Sequence, residues 1–375
     1  MKIAVAFDSF KGSLTSAEAA KAFTDGFSSV LPDTEFVTCI VADGGEGSIK
    51  ALASAESVTV EKCVSGPLHN RVKAHYLIDN NCNAIIEMAE ASGLTLIPVD
   101  ERNPMKTTSA GTGELILDAL QRGCSHITLC IGGSATNDAG TGLLSALGYR
   151  FMDADGKLLY GCGASLKDIA RIDDSNVPTL VRDADYTIIC DVTAPFCGPD
   201  GAACTFAAQK GADSNMIHNL DSGMNHFADV IYRQYGINIK DISGAGAAGG
   251  IGGGLLAILG AELKSGTDYI LEKKGFGKMI EGCSLVVTGE GHIDRQTIMQ
   301  KAPMGVLRMA SAHSIPVIAI GGKVTICKEL EDSGFSQILS ITPHSMPLQQ
   351  AMEPATAYSN LFQTAAKLAK SMQNI

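Results

Sequence analysis

Short apolar runs recur along the chain, and several lead directly into a polar or glycine-rich turn. Strands that are apolar throughout are typical of parallel sheets whose two faces are both covered. The predicted strands are residues 3–7, 36–41, 84–88, 127–131, 186–190, 285–288, 317–320 and 338–341. Apolar residues at helical spacing predict helices at residues 16–30, 112–122 and 305–313. This repeated unit of strand, loop and helix predicts an α/β fold.

Two features bear on domain organisation. Residues 58–79 alternate between apolar and polar positions around a Gly-Pro turn, which predicts an antiparallel hairpin. At 375 residues the chain exceeds the size at which single cores usually stop growing, so two domains are expected. We predict a discontinuous Rossmann-like parallel-sheet domain from residues 1–64 and 281–375, and a mixed α/β domain from residues 65–280. Residues 104–150 fit either domain, and the active site is expected in the cleft between the two.

Composition narrows the class of protein. With 45% hydrophobic and 18% charged residues, the chain has the make-up of a soluble globular protein. Its formal net charge of −11 disfavours binding to nucleic acid or to an anionic membrane, because both need clustered lysine and arginine. Asp8 interrupts the first apolar run, and no membrane-length apolar stretch follows, so a cytoplasmic location is expected. The cysteines form no CxxC pair, which favours reduced core thiols over zinc sites or disulfides.

The loop after the first predicted strand contains Asp8 and Lys11. In an open α/β sheet the ligand crevice lies at the carboxyl ends of the strands, so these side chains are expected to face it. Asp8 would then bind a substrate hydroxyl, and Lys11 a phosphate or carboxylate group. The alternative is structural: Ser13 or Ser16 caps the following helix, and Lys11 is solvated.

A second loop, with the sequence DGGEGS, begins at Asp43. Its two acids would repel a phosphate unless a cation lay between them. Mg²⁺ takes one or two carboxylates together with phosphate oxygens and water, so Asp43 becomes a candidate metal ligand. The alternative is a tight turn in which Glu46 and Ser48 begin a helix.

The sequence IGGSATNDAGTG follows the fourth predicted strand. Glycine lets the backbone approach a ligand closely, and the free N–H groups at the start of the predicted helix 139–147 attract anions. The candidate phosphate-binding residues are Gly132, Gly133, Ser134, Thr136 and Asn137. Asp138 would otherwise be an ordinary helix cap, and the segment is neither a P-loop nor a GxGxxG motif.

Residues 244–254, GAGAAGGIGGG, are too rich in glycine to form a free-standing helix. One explanation is that a phosphate or nucleotide approaches bare backbone at Gly244, Gly246, Gly249 and Gly250. The other is a helix packed very closely on its neighbour, with the following leucines in the core. The sequence leaves both explanations open.

The loop after the sixth predicted strand carries Glu290 and Asp294, and Lys301 precedes a probable helix that has proline in its first turn. Two carboxylates and a lysine after a glycine turn can position phosphate groups and neutralise their charge. A salt-bridged structural loop would use similar residues. Asp191, at the end of the fifth predicted strand, is placed to accept the proton of a substrate hydroxyl or to bind Mg²⁺.

Taken together and in this order, these loops resemble the class I glycerate kinases. The matching segments are DSFKGSLTS, VADGGEGS, IEMAEASGL, TSAGTGELILDAL, IGGSATNDAGTG, CDVTAP, QKGA, GAGAAGG, LGAELKSG and VTGEGHID. Members of this family have two α/β domains, one of them Rossmann-like. They transfer the γ-phosphoryl group of ATP, with Mg²⁺, to D-glycerate, commonly at O2. The resemblance also makes Lys210, in QKGA, a candidate nucleotide-binding residue.

Among the departures from the family pattern, two remove an arginine. Ala110 and His292 stand where that pattern has arginine, and a neutral histidine has neither the charge nor the fork of a guanidinium group. The resemblance implies a D-glycerate kinase, with a kinase for another small hydroxy acid or a weakened metabolite-binding relative as alternatives. The missing GxGxxG disfavours a dinucleotide oxidoreductase. The expected partners are the small-molecule substrate and ATP, and a homodimer is left open.

The predicted active site combines residues from distant parts of the chain. The catalytic set is Asp8, Lys11, Asp191, Glu290, Asp294 and Lys301. Asp191 acts in it as general base or metal ligand, and the two lysines neutralise the transferred charge. The predicted Mg²⁺ ligands are Asp43, Asp191, Glu290 and Asp294.

Overall fold

The structure of the protein is a computed structural model, and it describes residues 1–41, 49, 52–53, 56–298, 301–343 and 345–373. The strands are β1 (Lys2–Phe7), β2 (Glu35–Thr38), β3 (Val58–Ser65), β4 (Arg71–Ile78), β5 (Asn83–Glu87), β6 (His126–Cys130), β7 (Arg150–Met152), β8 (Arg171–Asp173), β9 (Asp185–Ile189), β10 (Glu262–Lys264), β11 (Leu285–Ile293), β12 (Val317–Val324) and β13 (Gln337–Ser340). Each predicted strand overlaps one of these. The α/β prediction is therefore confirmed.

Helices alternate with many of these strands. They are α1 (Ser16–Ser28), α2 (Ala89–Ser92), α3 (Ala110–Gln121), α4 (Thr141–Ala146), α5 (Thr179–Arg182), α6 (Ala202–Phe206), α7 (Ser214–Tyr235), α8 (Ala247–Leu259), α9 (Gly266–Lys273), α10 (Phe276–Met279), α11 (Ala302–Ala312), α12 (Lys328–Glu331), α13 (Leu348–Ala351) and α14 (Pro354–Met372). Short 3₁₀ helices lie at Leu94–Leu96, Val99–Glu101, Gly163–Asp168 and Ala208–Lys210. Over the described ranges, no helix combines the length and hydrophobicity needed to span a bilayer.

Residues 1–43 and 265–375 form one compact unit, here called the first unit. Its sheet has the strand order β13-β12-β11-β1-β2, and every neighbouring pair is parallel. Side chains of β1 alternate between two cores, because Ile3 and Phe7 pack with α1 and α14 while Ala4 packs with α11. The sheet is therefore covered on both faces, as strands that are apolar throughout require.

The helix α1 begins at a capping box that the sequence interpretation missed. Thr15 Oγ1 accepts a hydrogen bond from Glu18 N at 3.2 Å, and the Glu18 carboxylate accepts one from Thr15 N at 2.9 Å. Such reciprocal bonds satisfy two backbone donors that have no partner inside the helix. The cap is thus Thr15 rather than Ser13 or Ser16, and Ser16 Oγ instead donates to Val41 O at 3.3 Å.

Residues 44–264 form the second unit. Its sheet has the order β10-β9-β6-β5-β4-β3, in which β3, β4 and β5 are antiparallel and the remaining pairs are parallel. The register of β3 and β4 runs from Val58 opposite Ile78 to Ser65 opposite Arg71, which confirms the predicted hairpin. The pair β7 and β8 forms a separate small sheet. In the sequence-based scheme β3 was grouped with the first domain, and β6 lay in the stretch that fitted either.

The helix predicted at residues 139–147 begins later, as α4. Ala139 and Gly140 have φ values of 51° and 79°, so the chain turns through left-handed conformations before the helix starts. Asp138 accepts hydrogen bonds from the N–H groups of Gly140 and Gly142, each at 3.2 Å. Asp138 thus closes this turn and satisfies N–H groups at the start of the helix, which is close to the capping role offered as the alternative.

Candidate active site

The strand order of the first unit marks one position for a ligand. From β1 the chain passes through α1 to β2 on one side, whereas β11, β12 and β13 lie on the other side of β1. Ligands of open parallel sheets bind where the strand order reverses, beyond the carboxyl ends of the strands. Here those ends are joined by a hydrogen bond from Asp8 N to Gly289 O at 2.9 Å. Asp8, just beyond the end of β1, and Glu290, within β11, therefore lie side by side.

A cavity of about 650 Å³ opens at this point. Its lining includes four members of the predicted catalytic set, Asp8, Lys11, Glu290 and Lys301. Other stretches that line it come from the ends of β12 and β13 and from α13. Two lysines and two carboxylates from three separate stretches of sequence thus share one pocket in the first unit.

Glu290 is held by neighbours on both carboxylate oxygens. Thr297 Oγ1 donates to Oε1 at 2.7 Å, and Lys301 Nζ lies 3.4 Å from Oε2. Burial raises the pKa of Glu290, and the negative charge of Asp294 raises it further. Lys301 and Thr297 oppose this increase because they stabilise the charged form of Glu290. The wall of the cavity therefore contains the buried carboxylate of Glu290 and, beside it, the ammonium group of Lys301.

His292, in the last part of β11, and Asp294, just after that strand, form a second polar group. The Nδ1 atom of His292 lies 3.6 Å from Asp294 Oδ2, and its Nε2 atom lies 2.9 Å from Thr325 Oγ1. Asp294 Oδ1 accepts a hydrogen bond from Gln296 N at 2.8 Å. Both ring nitrogens of His292 thus already have polar neighbours at the position where the family pattern has arginine.

Two of the predicted Mg²⁺ ligands, Glu290 and Asp294, lie in the first unit. Within the described part of the chain, no three His, Cys, Asp or Glu side chains come together as a metal-binding group. Of the predicted ligands, Asp43 lies outside the described residues and Asp191 belongs to the second unit. Glu290, in β11, and Asp294, just after it, supply hard carboxylate oxygens, and the negative charge of Asp294 contributes to the raised pKa of Glu290. This donor set fits a Mg²⁺ ion that completes its coordination with phosphate oxygens and water.

In the second unit, the candidate phosphate loop after β6 is largely internal. Thr136 and Asn137 are fully buried, and only Gly132 and Gly133 of the five candidate residues reach the surface. Lys210 is also buried, and its Nζ donates to Ser134 Oγ at 2.8 Å and to Thr136 O at 2.7 Å. Burial lowers the pKa of Lys210 to about 7. Lys210, the Ser134 hydroxyl and the Thr136 carbonyl are therefore partners of one another inside the unit. By contrast, Thr136 Oγ1 and Asn137 Oδ1 are buried without a hydrogen-bond partner among the described residues.

The glycine-rich stretch packs directly against this loop. Ala248, Gly249 and Gly250 have φ values of 54°, 69° and 91°, so α8 contains a kink. A Cβ atom on Gly249 would overlap Thr136 O, and Gly249 O accepts a hydrogen bond from Ala139 N at 3.0 Å. The structure thus gives these glycines the packing role that the sequence offered as one explanation, and phosphate binding by them stays a prediction. The loop 132–138, the stretch 244–254 and Lys210 are called the glycine cluster below.

Asp191 and Ala110 also belong to the second unit. Asp191 lies just beyond the end of β9 and is half-buried. Ala110 begins α3, and the preceding Ser109 donates through its backbone N and its hydroxyl to Asp138 Oδ2, at 2.9 and 2.7 Å. A helix start anchored on Asp138 therefore occupies the position where the family pattern has arginine.

Two residues near the predicted site were not singled out from the sequence. Thr297 holds Glu290, and Lys323, near the end of β12, lines the same cavity as Lys11 and Lys301. Lys323 stands after a predicted strand and a pair of glycines, so the strand-end rule that selected Asp8 would also have selected it. Thr297 had no comparable signal, because a threonine in a polar loop is unremarkable.

Comparison with known proteins identifies the family. The family model described as "Glycerate kinase family" matches residues 3–373. The chain belongs to the glycerate kinase family. A glycerate kinase of Bacillus subtilis (strain 168) is 43% identical over 100% of this chain and 98% of the relative. A glycerate 2-kinase of Escherichia coli (strain K12) is 42% identical over 100% of both chains.

A solved structure gives the same result for the fold of this glycerate kinase family member. The crystal structure of a glycerate kinase 2 from Salmonella typhimurium LT2 aligns with a TM-score of 0.85 and 39% identity, over 100% of this chain and 98% of the other. The predicted family is therefore confirmed, and so is the predicted enzyme class, a phosphotransferase with an alcohol group as acceptor.

Proposed function

We propose that the protein transfers the γ-phosphoryl group of ATP to O2 of D-glycerate, giving 2-phospho-D-glycerate. The observation that carries this proposal is the single cavity lined by Asp8, Lys11, Glu290 and Lys301 at the strand ends of the first unit. The names of the relatives support the substrate, and the glycerate 2-kinase among them supports the position of transfer.

The cavity has the groups that phosphoryl transfer needs. In this reaction the protein mainly positions the reactants and neutralises charge on the phosphate oxygens. We propose that Lys11 and Lys301 bind those oxygens through their ammonium groups. Lys301 is oriented by Glu290 at 3.4 Å, and Asp8 is placed to accept a hydrogen bond from a substrate hydroxyl. These contacts support the proposal that side chains of this pocket bind and orient the phosphate groups.

Glu290 and Asp294 are the described carboxylates that we propose as ligands of Mg²⁺, with Asp43 and Asp191 as the further candidates from the sequence. A bound Mg²⁺ ion supplies positive charge that lowers the repulsion between phosphate oxygens and an incoming hydroxyl. Burial raises the pKa of Glu290, so a positive charge nearby would favour its ionised form. Glu290 and Asp294 would hold the ion, and Glu290 would also keep Lys301 in place.

In the second unit we propose that the exposed turn at Gly132 and Gly133 binds a phosphorylated ligand. Asp191 is proposed as the general base that takes the proton of the attacking hydroxyl, since it stands just beyond a strand end and is half-buried. The buried members of the glycine cluster, Thr136, Asn137 and Lys210, would then support the turn from inside.

The proposed activity is tested by measuring ADP release from ATP, Mg²⁺ and D-glycerate, with L-glycerate and other small hydroxy acids as separate arms. Turnover that depends on D-glycerate is expected. Phosphorus NMR of the product then assigns the position, because a phosphate on O2 couples to one proton and a phosphate on O3 couples to two. A folded sample without glycerate-dependent turnover would refute the substrate, and a product phosphorylated on O3 would refute the position.

The role of Asp191 is tested by Asp191→Asn, with Asp185→Asn at the opposite end of β9 as the matched control. Loss of a general base is expected to lower kcat about 100- to 10,000-fold, whereas the control should stay near the wild-type value. An Asp191→Asn enzyme that keeps its full kcat cannot depend on this residue as a base.

A further inference from the structure

The strands β11 and β12 remain paired beyond their apolar parts. In this extension Glu290 is opposite Gly321, and His292 is opposite Lys323. In a parallel pair, residues in register point to the same face, and every second residue along a strand shares that face. Glu290, His292 and Lys323 therefore lie on one face of the extension, and all three line the cavity of the first unit.

Lys323 differs from two other basic residues that line the cavity, Lys301 and His292. Lys301 is engaged with Glu290 at 3.4 Å, and the ring nitrogens of His292 face Asp294 and Thr325. Within the part of the chain that the structure describes, Lys323 has no carboxylate within ion-pair distance. It therefore brings to the cavity a positive charge that is in no ion pair with a described carboxylate.

A wall of the same cavity is apolar. Met346, Leu348 and Met352 contribute to it, and Leu348 and Met352 are among the exposed large hydrophobic residues, at 66% and 40%. The loop that carries Lys11 lies against this wall, because a Cβ atom on Gly12 would be 3.1 Å from Met352 Cε. Apolar side chains and lysines are thus arranged around one space.

The cavity is larger than a three-carbon acid requires. A volume of about 650 Å³ is within the range of pockets that hold cofactors and drug-sized molecules, and a three-carbon acid would leave most of it empty. A ligand that fills it should have a flat, weakly polar part for the methionines and leucine and an anionic part for the lysines. A nucleoside triphosphate has both parts.

We propose that this cavity is the nucleotide site, in which Lys323 binds the phosphate chain and the base lies against Met346, Leu348 and Met352. The proposal rests on the proposed function, because these residues would bind ATP and not D-glycerate during the proposed reaction. Nucleotide binding itself can be measured without any turnover.

The experiment measures binding of a non-hydrolysable ATP analogue and of adenosine to the full chain by calorimetry. Lys323→Ala should weaken the analogue about 10-fold and leave adenosine unchanged. Lys323→Arg, which keeps the charge, should stay within about 2-fold, as should the control Lys367→Ala on α14. Leu348→Ser with Met352→Ser should weaken both ligands by similar factors. In turnover, Lys323→Ala should raise KM for ATP about 10-fold with kcat and KM for D-glycerate nearly unchanged.

Several results would overturn the proposal. It fails if the wild type does not bind the analogue, if Lys323→Ala behaves like Lys367→Ala, or if Lys323→Ala raises KM for D-glycerate alone, which would assign the lysine to the acid. By contrast, a wild type that binds the analogue but does not turn over D-glycerate would refute the proposed substrate and leave the nucleotide site supported.

Discussion

The cavity of the first unit and the glycine cluster of the second unit both combine glycine-containing stretches with lysine side chains, yet the lysines have different surroundings. In the cavity, the side chain of Lys301 is 31% exposed and stands beside a carboxylate. In the glycine cluster, Lys210 is 3% exposed and donates to a hydroxyl and a carbonyl oxygen. The ammonium group of Lys301 is therefore accessible to a ligand, whereas that of Lys210 makes its hydrogen bonds inside the protein.

Charged residues after a strand and glycine-rich stretches are therefore different kinds of sequence signal. Charged residues just after central parallel strands reach a pocket because the topology directs them there. Glycine alone does not predict a ligand site, because the absence of a side chain permits the close approach of either a ligand or another backbone segment. At Gly249 the neighbouring atom is a protein carbonyl, Thr136 O. The comparison can be tested by disturbing each region in turn.

The largest effect is expected in the cavity. Lys301→Met removes an ammonium group proposed to bind phosphate and should lower kcat/KM about 1,000-fold, because preorganised charge contributes most where charge develops. Lys328→Met, on α12 and outside the cavity lining, is the control and should stay close to the wild type. Steady-state kinetics with both substrates give the measurement, and a loss of less than about 10-fold would remove Lys301 from the proposed machinery.

The next largest effect is expected in the glycine cluster. Gly249→Ala and Gly236→Ala both place a side chain on left-handed backbone, but only the first also drives a Cβ atom into a backbone oxygen. Gly236→Ala should cost about 1–2 kcal/mol of unfolding free energy. Gly249→Ala should cost at least about 3 kcal/mol, because overlap is added to the same strain. Urea unfolding measures both, and equal losses would contradict the packing explanation.

A smaller effect separates the buried lysine from an exposed one. Burial lowers the pKa of Lys210 to about 7, whereas an unfolded lysine titrates near about 10.4. Between these values the unfolded state binds more protons, so stability rises with pH. The unfolding free energy of the wild type relative to Lys210→Met should increase by up to about 1.4 kcal/mol per pH unit from pH 7 to 9. The control Lys167→Met should track the wild type, and a constant difference for Lys210→Met would show that the lysine titrates normally.

The smallest effect is expected from Glu290→Gln on stability. Burial raises the pKa of Glu290, so the folded state holds the proton more tightly than the unfolded chain does. As pH rises from about 4.3, the usual glutamate value, through the raised folded value, the wild type should lose stability relative to Glu290→Gln. The effect is small because Lys301 and Thr297 offset burial. Unfolding curves at pH 4 and pH 7 check the sign, and a relative gain for the wild type would contradict it.

Much of the fold could be predicted from local pattern. Each apolar run overlaps a strand, and alternation identified the hairpin of β3 and β4, because burial on one or two faces determines which residues a strand can use. The ends of β11 and β12 were predicted too early. Between the apolar runs and the terminal pair of Ile293 and Val324, the paired residues are polar or glycine, which a search for apolar runs does not detect.

The candidate site could be predicted only in part. Asp8, Lys11, Glu290 and Lys301 were chosen from their positions after predicted strands or in an adjoining loop, and they line one cavity. Thr136, Asn137 and Lys210 were chosen by residue type and motif, and they are buried. Residue type indicates what a side chain is able to do. It does not say whether the neighbouring atoms are protein or ligand.

Residue types and their order were enough to predict the α/β architecture, the family and the kinds of side chain at the candidate site. Tertiary structure alone decided which lysine faces a cavity and which is buried, why Gly249 has no side chain, and that Lys323 shares a face with Glu290 and His292. The physical reason is that burial and register depend on which distant segments pack together. No local pattern along the chain records those contacts.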